Sequence, residues 1–204
     1  MRRLPKQETK QKNQGVVVLN RLAVALGVVA LLASVFAGAA EAGPMSVYGS
    51  WHCGNDYCTW ASVRNMTDFD QKNRWLIDRG DGRPSVNLVI LSFVHPLRLL
   101  NKTTDSQTSE GVPIGMTQAV VDYFKTRNIR VMLSIGGITY VDAWNQALAA
   151  NATQLGLNAA EVAQRLGVGI EIDYEENSNP NLAALQAFIN AYRSVLPFDG
   201  TGIP

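Results

Sequence analysis

Four short strand-like runs constrain the fold of this 204-residue chain more than any other feature. Residues 87–94 (NLVILSFV) and 130–135 (RVMLSI) are almost continuously apolar and rich in β-branched side chains, as in strands that are buried on both faces. Residues 45–51 and 168–173 are the other two candidate strands. Helical patterns alternate with these runs, so the sequence predicts an α/β fold with parallel strands and right-handed crossovers.

The helical patterns have recognisable ends. Thr117 is a predicted N-cap, and Gly167 is a predicted C-cap. The predicted helices are residues 117–127, 142–150, 158–166 and a last helix that Asn179 caps and Pro180 begins. Periodicity alone leaves two closures open, an open doubly wound sheet and a (β/α) barrel. No strand is followed by a glycine-rich phosphate loop, which disfavours nucleotide binding.

The first 42 residues have the pattern of a secretory signal. Six basic residues lie within residues 1–21, an apolar run occupies residues 22–36, and small residues lead to a predicted cleavage site after Ala42. The alternative is an uncleaved membrane anchor through residues 16–40. We expect a secreted protein whose domain spans residues 43–204, with no stable membrane association once the signal is cleaved.

Charge and cysteine content narrow the possible partners. Lysine and arginine (18) nearly balance aspartate and glutamate (17), so nothing in the charge favours a nucleic-acid partner. The two cysteines, Cys53 and Cys58, are predicted to form a local disulfide in an exported protein. The adjacent His52 and Cys53 fit tetrahedral metal geometry poorly, so we predict neither a metal site nor a cofactor.

The last candidate strand contains an unusual row of acids. Glu171, Asp173 and Glu175 alternate with apolar residues, which places the three carboxylates on one face, about 6.6 Å apart along the strand. Their mutual repulsion raises at least one pKa, and a carboxyl group that stays protonated is suited to general-acid catalysis. Glu175, the outermost, is the best candidate. A solvated acidic edge strand and a divalent-metal site are the alternatives.

These residues resemble a known enzyme family. Residues 133–137 (LSIGG) and 169–175 (GIEIDYE), on consecutive strands, resemble the Ser-x-Gly-Gly and Asp-x-x-Asp-x-Asp-x-Glu motifs of glycoside hydrolase family 18, the chitinases. Tyr48, Ser92 and Phe93 are also similar, and the resemblance covers about residues 45–200. It implies an eight-stranded (β/α) TIM barrel with its chemistry at the C-terminal ends of the strands.

The resemblance also implies roles for individual residues. Glu175 would protonate the glycosidic oxygen, and the acetamido group of the substrate would attack the anomeric carbon. Asp173 would orient that acetamido group, and Glu171 would share a proton with Asp173. Tyr48 and Ser134 would support Glu171. The sequence departs from the family motif at Val168 and Glu171, where the family has aspartates.

The implied partner is chitin or an N-acetylglucosamine oligosaccharide. The further candidate substrate-binding residues are Phe93, Gly136, Gly137, Trp51, Trp144 and Asn177. A TIM barrel takes roughly 250 residues, and only four strands are predicted here. We therefore expect the chain to supply the first four β/α units of a family 18 domain. A chitinase-like lectin without turnover and an inactive fragment are the alternatives.

Overall fold

A four-stranded parallel sheet organises the part of the chain that the computed structural model describes, residues 47–53 and 59–198. The strands are β1 (Gly49–His52), β2 (Leu88–Val94), β3 (Arg130–Gly136) and β4 (Gly169–Asp173). They lie side by side in chain order, and each pairs in parallel with the next. The predicted α/β class with a parallel sheet is confirmed.

Five α-helices and one 3₁₀ turn (Ile138–Tyr140) connect or follow these strands in the described residues. The α-helices are α1 (Met66–Ile77), α2 (Pro96–Leu100), α3 (Gln118–Lys125), α4 (Val141–Leu166) and α5 (Leu182–Val195). The two predicted caps are present, because the Thr117 side chain accepts a hydrogen bond from the Val120 N–H and Gly167 adopts the left-handed conformation (φ 66°). A short hairpin, Thr108–Ser109 with Val112–Pro113, lies between α2 and α3.

Two helix boundaries differ from the prediction. Residues 141–166 form α4, which is broken at Asn151 (φ −167°, ψ 83°), so two helical segments are present as predicted. The second segment begins directly after Asn151, whose side chain accepts a hydrogen bond from the Gln154 N–H at 2.9 Å, and not at residue 158. The N-cap of α5 is Asn181, whose side chain accepts from the Ala184 N–H. Asn179 does not cap the helix; its backbone N–H donates to Glu176 instead.

The two faces of the sheet differ in chemistry. Alternate residues of β2 and β3 are at most 2% exposed and form the hydrophobic core with the helices: Val89, Leu91, Val131, Leu133 and Ile135. The other face contains Ser92, Ser134, Glu171 and Asp173. As predicted, Glu171 and Asp173 of β4 therefore lie on the face that the helices do not cover.

A buried tryptophan joins the C-terminal ends of the first two strands. The Trp60 indole N–H donates to the backbone carbonyls of His52 and Ser92, at 3.2 and 3.1 Å. The ring lies edge-on to His52 and is fully buried. Burial lowers the pKa of His52, and the charge of Arg64 lowers it further. The end of β1 is thus part of the core.

The predicted signal segment (residues 1–42) and the alternative anchor (residues 16–40) lie outside the described residues. None of the helices in residues 47–53 and 59–198 has both the length and the apolar character needed to span a bilayer.

The contact between α4 and α5 generates a stability prediction. A Cβ atom added to Gly156 would overlap the Phe188 carbonyl oxygen of α5 and lie 2.9 Å from the Ala191 Cβ. Helix propensity alone would make Gly156→Ala stabilising by about 1 kcal/mol. We expect the opposite, a loss of about 1–3 kcal/mol in the free energy of unfolding, because the two helices must separate. Urea unfolding of the full chain measures it.

Ala149→Gly is the matched control for this prediction. Ala149 is exposed and lies in the last turn before Asn151, so this reverse substitution changes helix propensity without a change in packing and should cost no more than about 1 kcal/mol. A Gly156→Ala variant that is more stable than the wild type would contradict the close packing of α4 and α5.

Candidate active site

The candidate site lies at the C-terminal ends of the parallel strands. The register of β3 and β4 pairs Ser134 with Glu171 and Gly136 with Asp173. Paired residues of adjacent strands point to the same face of a sheet. Two of the three predicted acids and the serine of the Ser-x-Gly-Gly motif therefore lie together on the face that the helices do not cover.

Glu171 is at the centre of this group. The Ser134 hydroxyl, which is fully buried, donates a hydrogen bond to the Glu171 carboxylate. Partial burial raises the pKa of Glu171, and the nearby charges of Asp173 and Glu175 raise it further. Hydrogen bonds from Ser134 and the Trp51 side chain act in the opposite direction. The other two acids of the row are thus close enough to influence the protonation of Glu171.

The two glycines of the motif allow β3 and β4 to approach closely where they end. Gly136 (φ 124°) and Gly137 (φ 100°) both have a backbone conformation that favours glycine. A Cβ atom at Gly136 would overlap the Asp173 carbonyl oxygen and the Trp144 indole nitrogen. The Gly137 N–H donates to the Asp173 carbonyl at 3.0 Å. These glycines hold the backbone of Asp173 in place.

Glu175 lies two residues beyond the end of β4 and is exposed to solvent. Its neighbours Tyr174 and Glu176 both contact α4 through Asn145, at 2.5 and 3.2 Å. The pKa of Glu176 is lowered to about 2, mainly by hydrogen bonds from the Ser178 hydroxyl and from the backbone N–H groups of Ser178 and Asn179. Glu176 is therefore an anion that organises the loop.

Two predicted site residues are placed elsewhere. Trp144 is fully buried, donates its indole N–H to the Ile135 carbonyl at 3.1 Å and packs on Phe188, so it cannot stack on a ligand. Tyr48 precedes β1, at the end of the strand remote from the acids. Residues 47 and 48 precede the strand, and the residue of β1 whose side chain reaches Glu171 is Trp51.

Two other predicted substrate-binding residues, Phe93 and Asn177, are at least partly exposed. The Phe93 ring packs against Gly137, 3.3 Å from the position that a Cβ atom at residue 137 would take. The peptide bond between Ser92 and Phe93 is cis. Phe93 also lines a small cleft of about 140 Å³ with Tyr140, His95 and Arg98. Asn177 is exposed in the loop after β4. Phe93 and Asn177 are thus accessible to a ligand.

Sequence reasoning missed the part of the site contributed by α4. Asn145 lies about 30 residues before the acids, in a helix whose apolar pattern marks only its buried face, and no local motif singles it out. The role of Glu176 was also missed. Its signal was present in the sequence, since Ser178 and Asn179 follow it at the short spacings of side chain-to-backbone turns.

The predictions of a disulfide and of no metal site can be compared with the structure only over the described residues. Cys53 is disulfide-bonded, and its predicted partner Cys58 lies outside the described residues. Within residues 47–53 and 59–198, no three His, Cys, Asp or Glu side chains are arranged to hold a metal ion.

A comparison of the chain with family models, curated proteins and solved structures finds no match. The likeness to family 18 glycosidases therefore rests on the residues of the sequence motifs.

The raised pKa of Glu171 predicts a pH-dependent stability difference. When Glu171 is protonated, below its ordinary pKa of 4.5, folding carries no penalty from its charge. As the pH rises through the raised pKa, the folded state must ionise a partly buried acid and loses stability. Glu171→Gln does not ionise, so in melts between about pH 4 and pH 8 its melting temperature relative to the wild type should rise from the ordinary pKa upward and level off above the raised pKa.

Thermal melts of both proteins across this pH range test the prediction. Glu161→Gln, which removes an exposed carboxylate of α4, controls for the change in overall charge. A melting-temperature difference that stays level over the whole range or shrinks as the pH rises would contradict the burial of Glu171.

Proposed function

We propose that this chain supplies the first four β/α units of a family 18-type (β/α)8 barrel, which hydrolyses β-1,4-linked N-acetylglucosamine polymers. The single observation that carries the proposal is the coupled acid row. Glu171 is hydrogen-bonded to Ser134 and influenced by the charges of both Asp173 and Glu175. The site lies at the C-terminal strand ends, where barrel enzymes place their chemistry.

In the proposed reaction, the exposed Glu175 donates its proton to the glycosidic oxygen as the bond from this oxygen to the anomeric carbon breaks. The acetamido carbonyl oxygen of the same sugar forms a bond to that carbon, which gives a cyclic oxazolinium ion. Water, deprotonated by Glu175, then opens this ion. The leaving sugar takes the first proton, and Glu175 recovers a proton from the water, so the enzyme is restored.

The inner acids have a supporting role. Asp173 accepts a hydrogen bond from the acetamido N–H of the substrate and stabilises the positive charge that develops on the ring. Glu171, whose pKa is raised by burial and by its acidic neighbours, shares a proton with Asp173. Ser134 and Trp51 orient Glu171. Trp51, which is exposed beside the acids, also offers a ring face for a sugar.

Loss of the proposed proton donor tests the function. In the protein that contains all eight barrel units, Glu175→Gln should reduce hydrolysis of a fluorogenic chitobioside by a factor of roughly 10²–10⁴, the usual contribution of a general acid. Glu161→Gln, a distant and exposed carboxylate on α4, is the matched control and should keep full activity.

Binding to chitin separates an enzyme from a lectin. Wild-type protein that binds chitin beads but releases no sugar would indicate a chitinase-like lectin. Protein that neither binds nor hydrolyses would contradict the proposal. An active Glu175→Gln variant would exclude Glu175 as the general acid.

We further propose that residues 1–42 direct export of the protein. The disulfide at Cys53 supports this, because such bonds persist in oxidising compartments outside the cytosol. The exported protein should begin at Gly43, which N-terminal sequencing of the culture medium fraction would show. Protein that stays in the membrane fraction with residues 16–40 intact would indicate the anchor instead.

A further inference from the structure

As a general acid, Glu175 needs a fixed position, which strand β4 does not provide. A general acid must be held to within about 0.5 Å of its productive position. The strand ends at Asp173, so the sheet does not fix the backbone of Glu175. We infer that Asn145 of α4 is a positioning residue, which holds the chain on both sides of Glu175. The inference rests on the proposed function, because it assigns Asn145 to the same site.

One side-chain amide contacts both neighbours of Glu175. The Tyr174 hydroxyl donates to the Asn145 Oδ1 atom at 2.5 Å, and the Asn145 Nδ2 atom donates to the Glu176 Oε2 atom at 3.2 Å. Tyr174 and Glu176 are thus both drawn toward α4. Glu175, between them, remains exposed, and its charge acts on Glu171, which lies on the face of the sheet that the helices do not cover.

Each neighbour has an anchor of its own. The Tyr174 ring packs on the buried Trp144, with ring centroids 5.6 Å apart, and its hydroxyl accepts from the Asn181 N–H at 3.2 Å. The Glu176 Oε1 atom accepts from the Ser178 N–H at 2.8 Å and from the Asn179 N–H at 3.2 Å. Asn145 joins these two anchors into one unit.

The chemistry of the amide suits this position. The site needs an acceptor for the Tyr174 hydroxyl and, a few ångströms away, a donor for the Glu176 carboxylate. An asparagine side chain provides both. Because Glu176 remains ionised at any working pH, the hydrogen bond from Asn145 is charge-assisted and stronger than a neutral one. An aspartate at position 145 could accept from Tyr174 but would repel Glu176.

The test uses the complete active protein and three variants. Asn145→Ala removes both hydrogen bonds, Asn145→Asp retains nearly the same shape but removes the donor, and Gln146→Ala alters an exposed neighbour on α4 as the control. Kinetics with the fluorogenic chitobioside should show a fall in kcat of roughly 10–100-fold for both Asn145 variants, with little change in KM, because misplacement by about 1 Å has this cost. Gln146→Ala should match the wild type.

A second measurement is independent of catalysis. Amide hydrogen exchange followed by NMR should be faster at Ser178 and Asn179 in Asn145→Ala, since Glu176 then loses one of its anchors. Exchange in the core strands β2 and β3 should stay unchanged, which would separate a local effect from general destabilisation.

The outcomes distinguish failure of the positioning role of Asn145 from failure of the proposed function. If the wild type is active and Asn145→Asp retains its kcat, or exchange at Ser178 and Asn179 is unchanged, the positioning role is wrong although the proposed function stands. If the wild type is inactive, the proposed function and the positioning role fall together. A lower kcat with faster local exchange supports both.

Discussion

The pairing of β3 with β4 is the interaction on which the rest of the site depends. It places Ser134 beside Glu171 and brings the end of β4 against the two glycines of the Ser-x-Gly-Gly motif. A shift of one residue in this register would turn the acids toward the apolar helices, where unpaired charges are costly. Burial of the apolar face of β3 therefore fixes the face toward which the acids point, in addition to the contacts that the acids make themselves.

The acids form a graded series along the strand. Glu171 is partly buried and contacts Ser134 within the sheet. Asp173 ends the strand and offers its backbone carbonyl to Gly137. Glu175 lies in solvent beyond the strand, and Glu176 turns back to accept hydrogen bonds from the loop. Four carboxylates within six residues thus have four environments, which is how one chemical group can serve different roles.

Much of this arrangement follows from local sequence pattern. Alternation in β4 separates the acids from the apolar residues, and Thr117 and Gly167 mark helix ends through hydrogen bonds and a backbone conformation that are properties of the residue itself. Trp144 and Asn145 could not be placed in this way. Adjacent on one helix, they differ in role only because Trp144 faces the core and Asn145 faces the loop after β4, which is a property of tertiary packing. The predicted position of Tyr48 within β1 was wrong because the strand starts after this residue.

The tight contact at Gly156 has a consequence for how the loop after β4 responds to heating. Helix α4 packs on α5 on both sides of its break, at Gly156 and where Trp144 contacts Phe188, and Asn145 beside Trp144 holds the loop around Glu175. Surface loops commonly open well below the temperature at which the core melts. Here the loop is tied to the packed helices α4 and α5, so it should open when these helices separate and not before.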